Sequence, residues 1–290
     1  MNLTNRRSPY ALPVGIIAVL SLIALLSLIA LGIIRSVTPE APLTDLPDDD
    51  TPADTATTTA ASGSTEPDEP AVPADGDDPV LAETPDMGQA YQDSIIFVGD
   101  STTAHLRSRG VLSGGTATEQ VWVPADNTLL LDFNITQKKI VYPPTGESLT
   151  IPEAAAKAKP AYMVLTIGLN GVTSFVKNEN LYRNCYGNLI EEIKKASPET
   201  KIMLQSVFPV AANQKTFSVD AATLNGYIDT VNGYARALAV EKEVRYLDTA
   251  SALKGEDGNL PAAYQNGDGI HLTAEGYRAI LDYIRTHGYQ

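Results

Sequence analysis

Apolar and polar positions divide the chain into three parts. Residues 11–34 form an uncharged, mostly apolar run of 24 residues, and residues 36–90 carry few bulky apolar side chains. From about Tyr91, short apolar runs alternate with segments of helical periodicity. The pattern therefore predicts an apolar N-terminal segment, a linker, and one globular domain over residues 91–290.

The globular part has the pattern of an α/β fold. Its apolar runs are typical of buried parallel strands, and they lie at 94–98, 120–123, 161–167, 201–207 and 244–247. Helical patterns follow or separate them, at 101–109, 152–158, 179–196, 220–240 and 273–286. Strands that alternate with helices form right-handed βαβ units. We therefore expect a three-layer α/β/α sandwich around a mainly parallel, flavodoxin-like sheet of about five strands.

One insert interrupts this alternation. Residues 129–150 contain short extended pieces around "YPPTGE", whose prolines and glycine favour a turn, so we expect a β-hairpin near the edge of the sheet. Trp122 and Tyr142 lie in or beside this region. Packing inside the domain is the favoured role for both rings, and stacking on a sugar is the alternative.

The apolar N-terminal run is long enough to cross a bilayer. At about 1.5 Å per residue it covers the roughly 30 Å hydrocarbon core. Arg6 and Arg7 precede it, whereas Arg35 is the only basic residue shortly after it. The positive-inside rule then places residues 1–10 in the cytoplasm and the C-terminal domain outside, as in a single-pass protein of a Gram-positive-type bacterium. A cleaved signal peptide is the alternative, but its apolar region would span only about 7–15 residues, so we expect an uncleaved anchor with the lipid bilayer as partner.

Charge is concentrated in the linker. Residues 36–90 hold 14 acidic residues and no lysine or arginine, together with many Pro, Thr and Ala, which predicts a disordered, extended spacer. Residues 91–290 have a net charge of only −3 and no basic stripe, so nucleic acid is not an expected partner. Cys185 is the single cysteine, and the three histidines lack zinc-ligand spacing. We expect no disulfide, no metal and no other cofactor.

Polar residues that can carry chemistry follow the predicted strands. Asp100 and Ser101 follow the first strand, Asn170 follows the third, and Asp268 and His271 precede the last helix. Because ligand sites of open α/β sheets lie at the carboxyl ends of the strands, we expect these side chains to converge. A serine hydroxyl becomes a nucleophile when an imidazole accepts its proton, and a carboxylate orients that imidazole.

Two alternatives exist for this region. Ser101 could simply be the N-cap of the first helix, because serine is a favoured capping residue. The "GDST" turn is not a phosphate-binding loop, since it lacks the glycine spacing and the lysine of that motif. His105 lies one helical turn beyond Ser101 and can share its face, but no carboxylate is evident to orient it, so the sequence favours no catalytic role for it.

The motifs "FVGDS", "IGLNG" and "DGIHLT" resemble, in order and spacing, the sequence blocks of the SGNH hydrolases, also called GDSL-like lipases and esterases. This resemblance covers about residues 93–290. It implies that Ser101 is the nucleophile, that His271 and Asp268 complete the triad, and that Asn170 and a glycine of the second block donate hydrogen bonds to the oxyanion. The backbone N–H of Ser101, at the turn after the first strand, is a further candidate donor. Asp100 and Gly168 are expected to support the site structurally.

The chain departs from the family pattern at two places. Gly171 stands where the third block usually has Asp, and no glycine is obvious in the second block. In its place, Asn127 could adopt φ > 0 and present its backbone N–H to the oxyanion, with Gly114 and Gly115 as alternatives.

The resemblance and the predicted anchor together favour an extracytoplasmic serine esterase. We expect it to remove acyl groups, acetyl first, from a cell-envelope or environmental polysaccharide. An O-acyltransferase with the same site and a non-catalytic, membrane-tethered binding domain are the alternatives, because the sequence alone does not separate them from the esterase.

Overall fold

The computed structural model describes residues 78–289, and a parallel sheet lies at the centre of this region. Its strands and those of a hairpin are, in chain order, β1 (Ile95–Gly99), β2 (Val121–Trp122), β3 (Lys139–Tyr142), β4 (Glu147–Thr150), β5 (Tyr162–Thr166), β6 (Lys201–Gln205) and β7 (Arg245–Leu247). Five of them form the sheet in the order β2-β1-β5-β6-β7, with every neighbouring pair parallel. This is the flavodoxin-like order, so the predicted sheet is confirmed.

Helices precede, connect and follow the strands of the five-stranded sheet. They are α1 (Gly88–Asp93), α2 (Ser101–Ser108), α3 (Ile151–Ala158), α4 (Val172–Phe175), α5 (Glu179–Ala196), α6 (Ala221–Glu241), α7 (Thr249–Leu253) and α8 (Ala274–Thr286). Side chains at their first turns explain where several of them begin. Thr150 and Glu153 form a capping box at α3, and Asp220 and Thr273 accept backbone N–H groups at the starts of α6 and α8.

The sheet has a hydrophobic cluster on each face. Successive residues of β5 alternate between the two clusters, with Leu165 in one and Val164 in the other, as the period of a strand requires. Helices α3, α4, α5 and α6 contribute buried side chains to the first cluster, and α1, α2, α7 and α8 contribute to the second. The domain therefore has the three layers that the alternating pattern predicted.

The insert forms a hairpin beside the edge strand β2. Strands β3 and β4 pair antiparallel, and the backbone N–H of Val141 donates to the carbonyl oxygen of Val123 at 2.9 Å, just beyond β2. Trp122 and Tyr142 are buried and meet edge to face, with their ring centroids 5.5 Å apart. Their position matches the packing role rather than a sugar-binding surface.

The packed domain begins before the predicted boundary at Tyr91. Val80 forms a parallel bridge with Tyr246 of the edge strand β7, and the side chain of Leu81 is only 6% exposed. The assignment of residues 78–90 to the disordered linker is therefore wrong, because this apolar pair covers an otherwise open sheet edge. Residues 36–77 of the predicted linker and the predicted anchor at 11–34 lie outside the described residues. Across 78–289, no helix is both long and apolar enough to span a membrane.

Candidate active site

The sheet order creates a crevice between β1 and β5. Helix α2, which follows β1, packs into one hydrophobic cluster, whereas α4, which follows β5, packs into the other. The chain thus leaves two adjacent strands toward opposite faces, and ligand sites of open α/β sheets lie at such a point. The residues after these strands include Ser101 and Asn170.

At the turn from β1 into α2, the helix is capped by Asp100 and not by the hydroxyl of Ser101. Asp100 is the N-cap residue, and its Oδ1 accepts hydrogen bonds from the backbone N–H of Thr102 at 2.9 Å and from Thr102 Oγ1 at 2.8 Å. Ser101 is therefore not the cap, which answers the alternative for this residue. The turn is tight at Gly99, where a Cβ would lie 2.1 Å from Thr103 Oγ1 and 2.5 Å from the Thr166 carbonyl oxygen.

A continuous hydrogen-bond chain links three of the predicted site residues. His271 Nε2 lies 2.9 Å from Ser101 Oγ, and His271 Nδ1 lies 2.7 Å from Asp268 Oδ2. Ser101 and His271 are 170 positions apart in the sequence. An imidazole with a carboxylate on one nitrogen and a hydroxyl on the other is arranged to take a proton from the hydroxyl.

Asp268 also organises its own loop. Its Oδ1 accepts the backbone N–H groups of Ile270 at 2.8 Å and of His271 at 2.9 Å. Partial burial opposes ionisation of this carboxyl, but the hydrogen bonds from the His271 side chain and from these two backbone groups outweigh it, so the pKa of Asp268 is lowered. The carboxylate form, which accepts the Nδ1–H of His271, is therefore favoured.

The side chain of Asn170 is hydrogen-bonded to Asp100, the residue before Ser101. Its Nδ2 donates to Asp100 Oδ2 at 2.9 Å and to the carbonyl oxygen of Leu129 at 3.3 Å. Burial raises the pKa of the Asp100 carboxyl, although hydrogen bonds from Thr102 act in the opposite direction. Asp100 thus joins the Ser101 turn to Asn170, which extends the structural support expected of it. The role of Asn170 as an oxyanion donor stays a prediction.

Asn127 was predicted to supply the second-block donor to the oxyanion. Asn127 does adopt φ +58°, but its backbone N–H donates to the carbonyl oxygen of Pro124 at 2.9 Å. The prediction that this N–H is available to an oxyanion is therefore wrong for this structure, because the turn itself uses the donor. The N–H of Gly115 is likewise bonded to Leu112. The backbone N–H of Ser101, in the first turn of α2, has no acceptor within the helix and stays available.

Gly168 has a geometric reason to be glycine. It adopts φ +147°, and a Cβ at this position would lie 2.9 Å from Val207 Cγ2. A side chain would meet both an unfavourable backbone conformation and a neighbouring methyl group. Its expected structural role next to Asn170 is consistent with this close approach.

His105 is the residue whose contact with the site the sequence did not reveal. Its ring packs against the ring of His271, with centroids 4.4 Å apart and planes tilted by 45°. Burial, and then the charges of His271 and Arg109, lower the pKa of His105. The only signal in the sequence was its spacing of four residues from Ser101, which places both on one helical face.

Within residues 78–289, no group of three or more His, Cys, Asp or Glu side chains is arranged to hold a metal ion. Cys185 is buried in α5, and burial raises the pKa of its thiol. This environment favours the unreactive thiol over the thiolate.

Residues 97–279 match the model of the GDSL-like lipase/acylhydrolase family. A similar solved structure is a GDSL-like lipase from Bacteroides thetaiotaomicron, with 19% identity, a TM-score of 0.46, and coverage of 67% of this chain and 87% of that chain. A second is a variant of an acetyl-xylooligosaccharide esterase from Geobacillus Stearmophilus, with 18% identity, a TM-score of 0.41, and coverage of 68% of this chain and 94% of that chain. A third is the periplasmic domain of a lipopolysaccharide acetyltransferase from Salmonella ser. Paratyphi A, with 18% identity, a TM-score of 0.42, and coverage of 66% of this chain and 82% of that chain. Among curated proteins, no sequence match was found.

Proposed function

This chain belongs to the GDSL-like lipase/acylhydrolase family, and from that membership we propose that it hydrolyses carboxylic esters with Ser101, His271 and Asp268 as its catalytic residues. The observation that carries the proposal is the hydrogen-bond chain from Asp268 through His271 to Ser101, with distances of 2.7 and 2.9 Å. An intact chain of this kind favours an enzyme over a binding domain that has lost its activity.

In the proposed reaction, Ser101 Oγ attacks the ester carbonyl carbon while His271 Nε2 accepts its proton. The tetrahedral intermediate collapses, the C–O bond to the alcohol breaks, and the protonated His271 gives its proton to the leaving alkoxide oxygen. Water then attacks the acyl carbon while the same imidazole takes its proton. The C–Oγ bond of the second tetrahedral intermediate breaks, the carboxylic acid leaves, and His271 returns the proton to Ser101 Oγ. Asp268 keeps the proton of His271 on Nδ1, so that Nε2 can act as the base.

The oxyanion of the intermediate needs hydrogen-bond donors placed in advance. We propose that the backbone N–H of Ser101 is one donor and that Nδ2 of Asn170 is the other. Asn170 can keep its bond to Asp100 and release the longer 3.3 Å contact with the Leu129 carbonyl oxygen when the oxyanion forms. Asp100 then holds the amide in the orientation that the reaction requires.

For the acyl part we propose a short group, acetyl first. For the alcohol part we propose a polysaccharide of the cell envelope or the surroundings, as the predicted membrane anchor suggests.

We propose that residues 11–34 anchor the chain in the cytoplasmic membrane, with the N-terminus inside and the catalytic domain outside. The length of this apolar run and the arginines before it support the orientation. The test is to express the full chain and a variant without residues 11–34, and to extract membranes with alkaline carbonate. The full chain should stay in the membrane and be digested by protease added outside; release by carbonate would contradict the anchor.

The catalytic proposal is tested with p-nitrophenyl acetate and a fluorophosphonate probe. The full chain should release acetate and be labelled at Ser101, whereas Ser101→Ala should do neither. Ser251→Ala is a matched control, because Ser251 is an exposed serine whose hydroxyl donates to the Asp248 carbonyl oxygen and is not part of the hydrogen-bond chain from Asp268 to Ser101. An inactive, unlabelled full chain, or full activity of Ser101→Ala, would contradict the assignment. Adding an acceptor sugar and measuring acetyl transfer against acetate release separates hydrolase from transferase.

A further inference from the structure

We propose that His105 is a positioning residue for His271: its ring packs against the His271 imidazole and holds Nε2 against Ser101 Oγ. The inference rests on the proposed esterase function, and it adds a residue that neither donates nor accepts a hydrogen bond in the catalytic chain. The observation behind it is the contact between the two rings, with centroids 4.4 Å apart.

The position of His105 in α2 explains this contact. Side chains of an α-helix lean toward its N-terminus, so a residue at i+4 lies over the turn that carries residue i. Ser101 is the first residue of α2, and His105 lies four residues after it. The helix that presents the nucleophile therefore also brings the His105 ring to the base that serves it.

The His271 ring can still tilt about its two hydrogen bonds, so a packing contact from His105 can restrain it. Both ring nitrogens are held in the ring plane, Nδ1 by Asp268 and Nε2 by Ser101. These bonds restrain rotation within the plane, but they resist tilting of the ring out of the plane less strongly. The His105 ring, packed against the imidazole at a tilt of 45°, blocks such motion on its own side, because two packed rings cannot interpenetrate.

The environment of His105 fits a packing role rather than proton transfer. Its Nδ1 is buried without a hydrogen-bond partner among the described residues, so this nitrogen is not connected to the catalytic chain. Burial is the largest cause of its lowered pKa, followed by the charges of His271 and Arg109. The neutral ring that results places no positive charge beside the imidazolium that forms on His271 during the reaction.

Three variants of the full chain test the proposal with p-nitrophenyl acetate as substrate. His105→Ala removes the ring and should lower kcat by about 10-fold with KM unchanged, because misplacing a catalytic group reduces the chemical step rather than binding. His105→Phe restores an uncharged ring and should recover most of the lost kcat. His287→Ala is the matched control, because the His287 ring stacks on Tyr283 at 3.7 Å at the far end of α8, and it should leave kcat unchanged.

A measurement independent of turnover accompanies the kinetics. The proton that His271 Nδ1 shares with Asp268 should give a low-field NMR signal in the full chain. This signal should broaden by faster exchange in His105→Ala and persist in His105→Phe.

Wild-type kcat in His105→Ala, or an unchanged signal, would overturn the positioning role. Equal impairment in the Ala and Phe variants would also overturn it, since a nitrogen of His105 would then be required. An inactive wild-type chain would contradict the esterase proposal, whereas the NMR comparison would still decide the role of His105.

Discussion

The substitution Asp268→Asn tests the hydrogen-bond chain, because the two carboxylate oxygens of Asp268 have different partners. Oδ1 accepts the backbone N–H groups of Ile270 and His271 at 2.8 and 2.9 Å, and an asparagine oxygen can accept both. Oδ2 lies 2.7 Å from His271 Nδ1, and there asparagine presents an N–H instead. His271 must then carry its proton on Nε2, where it donates to Ser101 Oγ and can no longer accept the proton.

The expected loss in kcat for Asp268→Asn is about 10⁴-fold, or roughly 5 kcal/mol in activation free energy, as for the wrong tautomer in other serine hydrolases. Steady-state kinetics with p-nitrophenyl acetate measure it, and the fold should remain intact. Asp268→Ala should lose similar activity but also unfold at a lower Tm, because two further hydrogen bonds of about 1 kcal/mol each, less in this half-exposed loop, disappear.

Thermal unfolding as a function of pH checks the same bonds. The pKa of Asp268 is lowered in the folded chain, so its ionisation stabilises the fold above the unfolded value of about 3.9, and this contribution is lost as pH falls through the folded value. The Tm difference between wild type and Asp268→Asn should therefore shrink below pH of about 4. The reasoning would be refuted if Asp268→Asn kept more than about a tenth of the wild-type kcat, because loss of tautomer control should lower kcat far more. Equal Tm values for the Asn and Ala variants would also refute it.

Three further predictions concern other parts of the domain. Asn170→Ala should lower kcat for p-nitrophenyl acetate by about 10²–10³-fold with little change in KM, since an oxyanion donor acts in the transition state; an unchanged kcat would exclude the role. Asp100→Asn should lower kcat by about 10-fold, since Asn170 loses a charged hydrogen-bond acceptor. The Tm at pH 7 should stay nearly unchanged, because the substitution also removes a buried charge, and a large fall in Tm would contradict this prediction. Leu81→Ala should destabilise the full chain by about 2–4 kcal/mol in denaturant unfolding, whereas Leu130→Ala, at a 39% exposed position, should have little effect; equal losses would show that residues 78–90 do not support the domain.

Local patterns in the sequence predicted most of the elements to within a residue or two. The run at 161–167 became β5 (Tyr162–Thr166), and the helical pattern at 179–196 became α5 (Glu179–Ala196). Such patterns are readable because the periodicity of burial and the capping residues act over only a few positions. Ser101, Asp268 and His271 were located by the same means, since strand ends and the start of the last helix lie at the carboxyl edge of the sheet.

Two predictions failed for different reasons, one in a local turn and one in a contact between distant segments. The sequence suggested an available N–H at Asn127, but the turn with Pro124 uses it. It also assigned residues 78–90 to the linker, because a short apolar pair between acidic residues has no visible partner until Val80 meets Tyr246 of β7.

The fold class, the order of the elements and the three residues of the hydrogen-bond chain could all be predicted from the sequence alone. Contacts between distant segments set two further features, namely that Asp100 holds Asn170 and that the ring of His105 packs on His271. Helical spacing restricts His105 to the face of α2 that carries Ser101. What that face meets, however, is set by the packing of a loop that begins more than 150 residues later. Propensity and periodicity describe the chain next to a residue, whereas contacts of this kind exist only once the layers have assembled.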